Sequence, residues 1–361
     1  MDQNKASFST IFVLSMMSIG LMNHVMVIPM LLSTAKRDSW ISVLISGVLF
    51  LGWLVFLQVI IKKTNYSHLF TWMKDRVGKG VAWGLSSVAY VFILLLIGVT
   101  LKDMIVWTVT SYFPQSPVFI LAIVFLIICF FAATSSFATL SIISGFLLVF
   151  VIALGFFVMS LNIPHKDYAQ IFPILEHGLN PVLKGVIYSS GSLMEVSLIL
   201  FLQHKLKPNI KVRSLLFLGI ILIGLTLGPL LGSIAIFGPE EAANQRYPAY
   251  EEWRLLKIGK YIEHVDFFSI YQWLSGGLIR ISLGLFIIGQ LFPFENDKNR
   301  HLLIGFSSLI TLLMVLLPIS DMQFVRFLQN IYFYLSLLFL IIFSLSIGLL
   351  AFLKEKRGDN S

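Results

Sequence analysis

"SIGLMNHVMVIP", residues 18–29, lies inside an apolar run otherwise long enough to cross a bilayer. It places Gly20, Asn23 and His24 near the middle of that run and Pro29 near its end. A second stretch, "SSGSLMEVSLIL" at 189–200, has the same character: Gly191 at mid-span, followed by Ser192 and Glu195. Breaking a helix in hydrocarbon leaves N–H and C=O groups unpaired, which costs several kcal/mol each unless protein, water or ligand satisfies them. Paired interruptions at matching places in two halves of a chain point to a binding site near the membrane midplane. The plainer reading is that Gly20 and Gly191 let helices pack closely, as small residues often do in membranes.

The rest of the chain supports a membrane setting. Of 361 residues, 57% are hydrophobic and only 12% charged, with mean hydropathy +0.89. Soluble domains carry about 25% charged residues. Apolar runs of about 20 residues recur, each able to cross about 30 Å of hydrocarbon. They predict ten transmembrane helices, at about 9–32, 40–61, 81–104, 117–134, 139–160, 182–202, 213–236, 267–291, 302–318 and 330–353. No strand-like alternation points to a β-barrel. "LSTA" loosely resembles a signal cleavage site, but the run before it is too long and its flank too weakly charged, so it reads as a retained helix.

Ten spans put both termini on one side. That side holds fifteen Lys and Arg residues against ten on the other, four of those ten in one long loop, so both termini are expected in the cytoplasm. The net charge of +8 is spread over loops and reads as membrane topology, with no nucleic-acid partner. Five spans per half is an odd number, so the second half must be inverted. The chain reads as a single membrane domain, 1–361, built from repeats 9–160 and 182–353.

Glu195 and Arg280 are the clearest ionisable residues within spans, and each alone would cost about 2.5 kcal/mol or more at a helix centre. Pairing them offsets that cost, as a structural bridge or as a gate. Lys102 and Asp103 are expected to mark where span 3 leaves the hydrocarbon. In the loop 237–266, Pro239 starts a short helix, and "YEEWRLLKIGKYI" is amphipathic, with Trp253, Leu256 and Ile258 on its apolar side. It reads as a lid or as an interfacial helix. Cys129 is the single cysteine and forms no internal disulfide. No metal cluster, phosphate loop or nucleophile motif appears, and "HVDF" and "HKDY" are isolated, so neither catalysis nor a cofactor is expected.

Two stretches carry a family resemblance: "KRDSWISVLIS" at 36–46 and "YPAYEEWRLLKIGKYIEHVDFFSIYQWLSGGLIRISL" at 247–283. Glu263, Asp266 and Trp273 fall within the second. The chain resembles the B-subunits of nutrient germinant receptors of spore-forming bacteria, members of the amino acid–polyamine–organocation superfamily. The resemblance implies an all-α, LeuT-like 5+5 inverted repeat with broken helices 1 and 6. It implies a nutrient-binding subunit in the inner membrane of the spore, working with an A-subunit and a lipoprotein C-subunit. Its nutrient would be an amino acid, sugar or nucleoside. The second glycine of the family's span 1 break is absent, with Asn23 and His24 between Gly20 and Pro29. Candidate ligand contacts are Gly20, Asn23, His24, Phe92, Ser190, Gly191, Ser192, Glu195 and Trp273. The alternative is a secondary transporter of amino acids or related solutes, proton-coupled through Glu195 or His24.

Overall fold

Pro29 has no N–H and its ring crowds the Val25 carbonyl, so an α-helix cannot run through it undisturbed. The computed structural model, which describes residues 5–208, 210–257 and 264–353, shows the outcome. Helix α1 (Phe8–Leu21) widens into a π-helical turn, Met22–Val27, and resumes as α2 (Ile28–Ala35). The expected break in span 1 is therefore a change of winding. The wider turn relieves the crowding while the chain stays helical.

Span 6 is likewise continuous. Helix α8 (Leu179–Leu193) tightens at Met194 into a 3₁₀ segment that runs to Lys205. Such segments seldom exceed three or four residues; this one has twelve. At three residues per turn, Met194, Ser197, Leu200 and Gln203 align in one buried stripe. That stripe meets α3 (Ser39–Lys63), where Trp53 Nε1 donates to Ser197 Oγ at 2.9 Å and Thr64 Oγ1 to Gln203 Oε1 at 2.8 Å. Polar partners spaced along a straight neighbour thus favour the tighter winding.

Among the described residues the other long helices are α5 (Lys79–Ser111), α6 (Val118–Thr134), α7 (Phe137–Leu161), α9 (Val212–Phe237), α12 (Phe268–Ile288), α13 (Asp297–Leu316) and α15 (Phe333–Phe352). Four shorter ones complete the set: α4 (Leu69–Val77), α10 (Pro239–Asn244), α11 (Pro248–Arg254) and α14 (Asp321–Phe327). No named strand occurs among the described residues; Ala6 and Leu206 form one isolated bridge. Among the described residues eight helical stretches are long and apolar enough to cross a membrane, and the molecule is a multi-pass α-helical membrane protein. The first of them, Phe8–Lys63, spans 56 residues and turns at Lys36, where φ is 45°. The apolar helix α6, at 17 residues, is shorter than these.

Helix α3 packs on α8 through small residues. Ser42 Oγ donates to the Val182 carbonyl at 2.8 Å and Ser46 Oγ to Ser189 Oγ at 2.6 Å. A Cβ on Gly185 would come within 2.9 Å of Ser42 Cβ. Close approach through Ser and Gly is how helices associate where lipid removes the hydrophobic drive.

Two expectations change. Helix α5 runs on to Ser111, with Asp103 buried, so Lys102 and Asp103 lie within the helix and do not mark its exit. The loop helix α11 stops at Arg254, and Trp253 and Leu256 pack with Val158 and Val265, so their apolar surface is covered by protein. Ile258, Lys260, Glu263, Lys354, Lys356 and Arg357 lie outside the described residues.

Candidate functional site

The π turn of span 1 meets α8 just before its change of winding. Ser192 Oγ donates to Asn23 Oδ1, and both residues are buried. Asn23 Nδ2 is buried at this contact with no protein partner, as is Ser190 Oγ, two residues earlier on α8. A donor and an acceptor-capable hydroxyl left open in apolar surroundings are costly unless something else pairs with them.

Gly191 faces the other way. A Cβ there would sit 2.9 Å from the Phe333 carbonyl oxygen, and Ser336 Oγ donates to the Gly191 carbonyl at 3.1 Å. Gly191 therefore allows α8 to approach the backbone at the start of α15. Just before that point, span 10 has a π turn of its own, Leu328–Tyr332. Gly20 is less confined, since a Cβ there would meet only Leu225 Cδ1, at 3.4 Å.

One turn further along span 6, Glu195 and Arg280 form a two-point ion pair. Arg280 Nη1 donates to Glu195 Oε2 at 2.5 Å and Nη2 to Oε1 at 2.8 Å. Arg280 Nε donates to Thr100 Oγ1 at 2.9 Å and Nη1 also to the Ser18 carbonyl at 3.2 Å. One guanidinium thus ties together α1, α5, span 6 and α12. The side chains are 1% and 0% exposed, so breaking the pair would leave an uncompensated charge.

The remaining candidates take up other contacts. The His24 imidazole lies near the Leu225 carbonyl on α9. Pro229 lies inside that helix, four residues after Leu225, and lacks the N–H that would have paired with this carbonyl. His24 therefore lies beside an acceptor that a proline set free. Phe92 stacks on Phe339 with ring centroids 4.1 Å apart. Trp273 stacks on Trp107 at 4.3 Å, with Tyr247 5.2 Å away, in an aromatic cluster under the 239–254 loop.

A cavity of about 50 Å³ reaches Ser15, Ser18 and Glu195 between α1, α7, α12 and span 6. It holds water-sized guests, whereas drug-sized ligands occupy roughly 300–1,000 Å³. The helices are in a closed arrangement around the Asn23–Ser192 contact.

Two polar clusters escaped the sequence reading. Arg246 joins Asp103 to Asp321, at 2.5 and 3.2 Å. Glu252 of α11 is buried against Gly232 and accepts from Ser233 Oγ at 2.9 Å. Burial raises the Glu252 carboxyl to about 7, against the smaller opposing effects of Ser233 and Lys166. An Asp inside a predicted span and a basic residue in a loop gave the available signal, but nothing in the sequence paired them.

The family model described as "Spore germination protein" matches residues 6–324. The chain belongs to the spore germination protein family. It is 42% identical to spore germination protein XB of Bacillus anthracis over 328 residues, covering 91% of this chain and 92% of that protein. It is 22% identical to spore germination protein KB of Bacillus subtilis (strain 168) over 342 residues, 91% and 90% of the two chains. Spore germination protein A2 of the same organism is 22% identical over 66% of each. The resemblance to the germinant-receptor B-subunits is borne out, and the molecule is a permease-like spore germination protein.

Proposed function

We propose that the chain is the membrane-embedded nutrient-sensing subunit of a germinant receptor in the inner membrane of the spore. It binds an amino acid, sugar or nucleoside at mid-membrane and passes the change on to an A-subunit and a lipoprotein C-subunit. The observation that carries this reading is the meeting of two altered windings, the π turn at Met22–Val27 and the α-to-3₁₀ change at Met194, at Asn23 and Ser192. Asn23, Ser190 and Ser192 offer polar atoms to a ligand there. Gly20, His24, Gly191, Phe92 and Trp273 act by setting where their helices lie. Glu195–Arg280 is the latch that ties the helices framing the site.

In this reading the chain crosses the membrane ten times. Phe8–Lys63 divides at Lys36 into two crossings, and Val118–Thr134 adds another to the eight long stretches. Residues 9–160 and 182–353 are inverted five-helix repeats of LeuT-like form, and both termini are cytoplasmic. Binding opens the closed arrangement, and its free energy shifts the receptor only by the difference in affinity between the two states.

The test is binding against uptake on purified protein in liposomes, with a nutrient panel. Saturable binding without accumulation, weakened at least tenfold by S192A, is the expected result. Accumulation driven by a proton gradient would replace this reading with that of a secondary transporter.

A further inference from the structure

Arg246 and Asp103 use only half of each other. A guanidinium and a carboxylate can join through two parallel hydrogen bonds. Here Nη2 donates to Oδ1 at 2.5 Å, while Nε turns away to Asp321 Oδ2 at 3.2 Å. Tyr247 OH also reaches Oδ1, at 3.4 Å. Asp103 Oδ2 and Arg246 Nη1 are left buried and without a hydrogen-bond partner. Asp103 is 1% exposed, so its vacant oxygen is unscreened.

The surroundings supply more. Trp107, one turn along α5 from Asp103 and on the same face, is wholly buried, and its Nε1 also has no partner. Its ring lies against Trp273, Tyr250 and Tyr112 at 4.3, 5.3 and 5.3 Å. The Arg246 guanidinium sits 4.4 Å from the centre of the Tyr247 ring. Lys102, beside Asp103 in sequence, is engaged with the Val315 and Leu317 carbonyls at 2.8 and 3.1 Å. Asp103, Asp321 and Arg246 together thus carry one net negative charge.

We propose that this cluster is a second ligand site, under the 239–254 loop, for a small zwitterion of the amino-acid type. Its ammonium pairs with Asp103 Oδ2, and its carboxylate accepts from Arg246 Nη1 and Trp107 Nε1. One open acceptor beside two open donors matches a molecule bearing both charges and mismatches one bearing either alone. The aromatic rings around Trp107 favour the ammonium end. Entry is from the side where Asp321 and Arg246 reach solvent, and it requires the loop to lift. This site is separate from the Asn23–Ser192 contact and does not rest on it.

The experiment uses the full chain in nanodiscs with glycine as the probe, and methylamine and acetate as its one-armed analogues. Binding is read by equilibrium dialysis and by near-ultraviolet circular dichroism of the stacked Trp107–Trp273 pair. The expected result is that glycine binds at least tenfold tighter than either analogue and perturbs the tryptophan signal. D103N and R246K each weaken glycine at least tenfold. R246K, which keeps the charge but loses the planar fork, leaves methylamine unchanged. S192A leaves the glycine-induced change in the Trp107–Trp273 signal intact. W107F is the second variant if D103N does not fold, and it too weakens glycine. A glycine-induced tryptophan signal that survives D103N and R246K, or is lost only in S192A, overturns the proposal; so does wild-type protein whose tryptophan signal glycine leaves unchanged. The S192A-only outcome would still leave the mid-membrane reading standing.

Discussion

His24 and Pro229 illustrate how a residue's job depends on a partner far away in the chain. A histidine in a helix suggests ligand or proton chemistry, yet its imidazole lies beside the carbonyl that Pro229 strands. A double-mutant cycle separates the two roles. H24A should cost about 1–2 kcal/mol in the parent protein, the penalty of an unsatisfied buried group. In a P229A background, where residue 229 regains its N–H, that cost should fall below about 0.5 kcal/mol. Thermal unfolding in detergent checks it. The Glu195–Arg280 pair invites a second test, because removing one member of a buried pair costs about 3–5 kcal/mol whereas replacing both with apolar groups costs much less. E195Q should lower the unfolding temperature strongly, and E195M/R280M should recover most of the loss. Glu195 and Arg280 were legible from sequence because charges are rare in spans. The approach of His24 to Leu225 was not, since nothing in "NHVMVIP" indicates which helix lies opposite.

At the scale of elements, hydropathy located the helices well because each must bury its own backbone bonds in lipid. The expected span 182–202 corresponds to Leu179–Lys205, and 213–236 to Val212–Phe237. The kind of winding within a helix was not legible. Gly191 and Pro29 signalled irregularity but not its form: the π turn answers the crowding at Pro29, and the long 3₁₀ segment follows from polar contacts with α3. G191A places a Cβ against the Phe333 carbonyl and should cost about 1–3 kcal/mol, like other overpacked sites; G20A, with room at Leu225, should cost little. Loop helix α11 carries a pH effect. The Glu252 carboxyl is raised to about 7 by burial, above its unfolded value near 4.5. The folded state therefore holds the extra proton between those values, so stability is greatest below about pH 4.5 and falls as pH rises through about 7. The full effect is at most about 3 kcal/mol, at 1.36 kcal/mol per unit. Hydrogen-exchange protection factors of residues 248–254, each corrected for the intrinsic rate at its pH, should be larger at pH 5 than at pH 8, and E252Q should flatten the difference.

For the whole molecule, composition alone gave the membrane setting, and the charge distribution gave an orientation that labelling can test. Cys129 is buried, which makes the natural chain a convenient background for introduced cysteines. K74C should react with an impermeant thiol reagent only from the cytoplasmic face, and K166C only from outside. Reversed labelling would invert the topology. The contacts that bring Arg246 to Asp103 and Asp321 depend on a loop folding back over two distant helices, and no periodicity in the chain encodes that return.

The tight winding at Met194–Lys205 also stores travel. A 3₁₀ helix rises about 2.0 Å per residue and an α-helix about 1.5 Å, so rewinding twelve residues would retract the Lys205 end by about 6 Å. That end is stitched to the start of the chain, with Ala6 N–H donating to the Lys205 carbonyl at 2.7 Å and Lys207 N–H to the Ala6 carbonyl at 2.9 Å. Any such stroke would tug the N-terminal segment with it, so that a spring wound inside span 6 has its handle at the start of the chain.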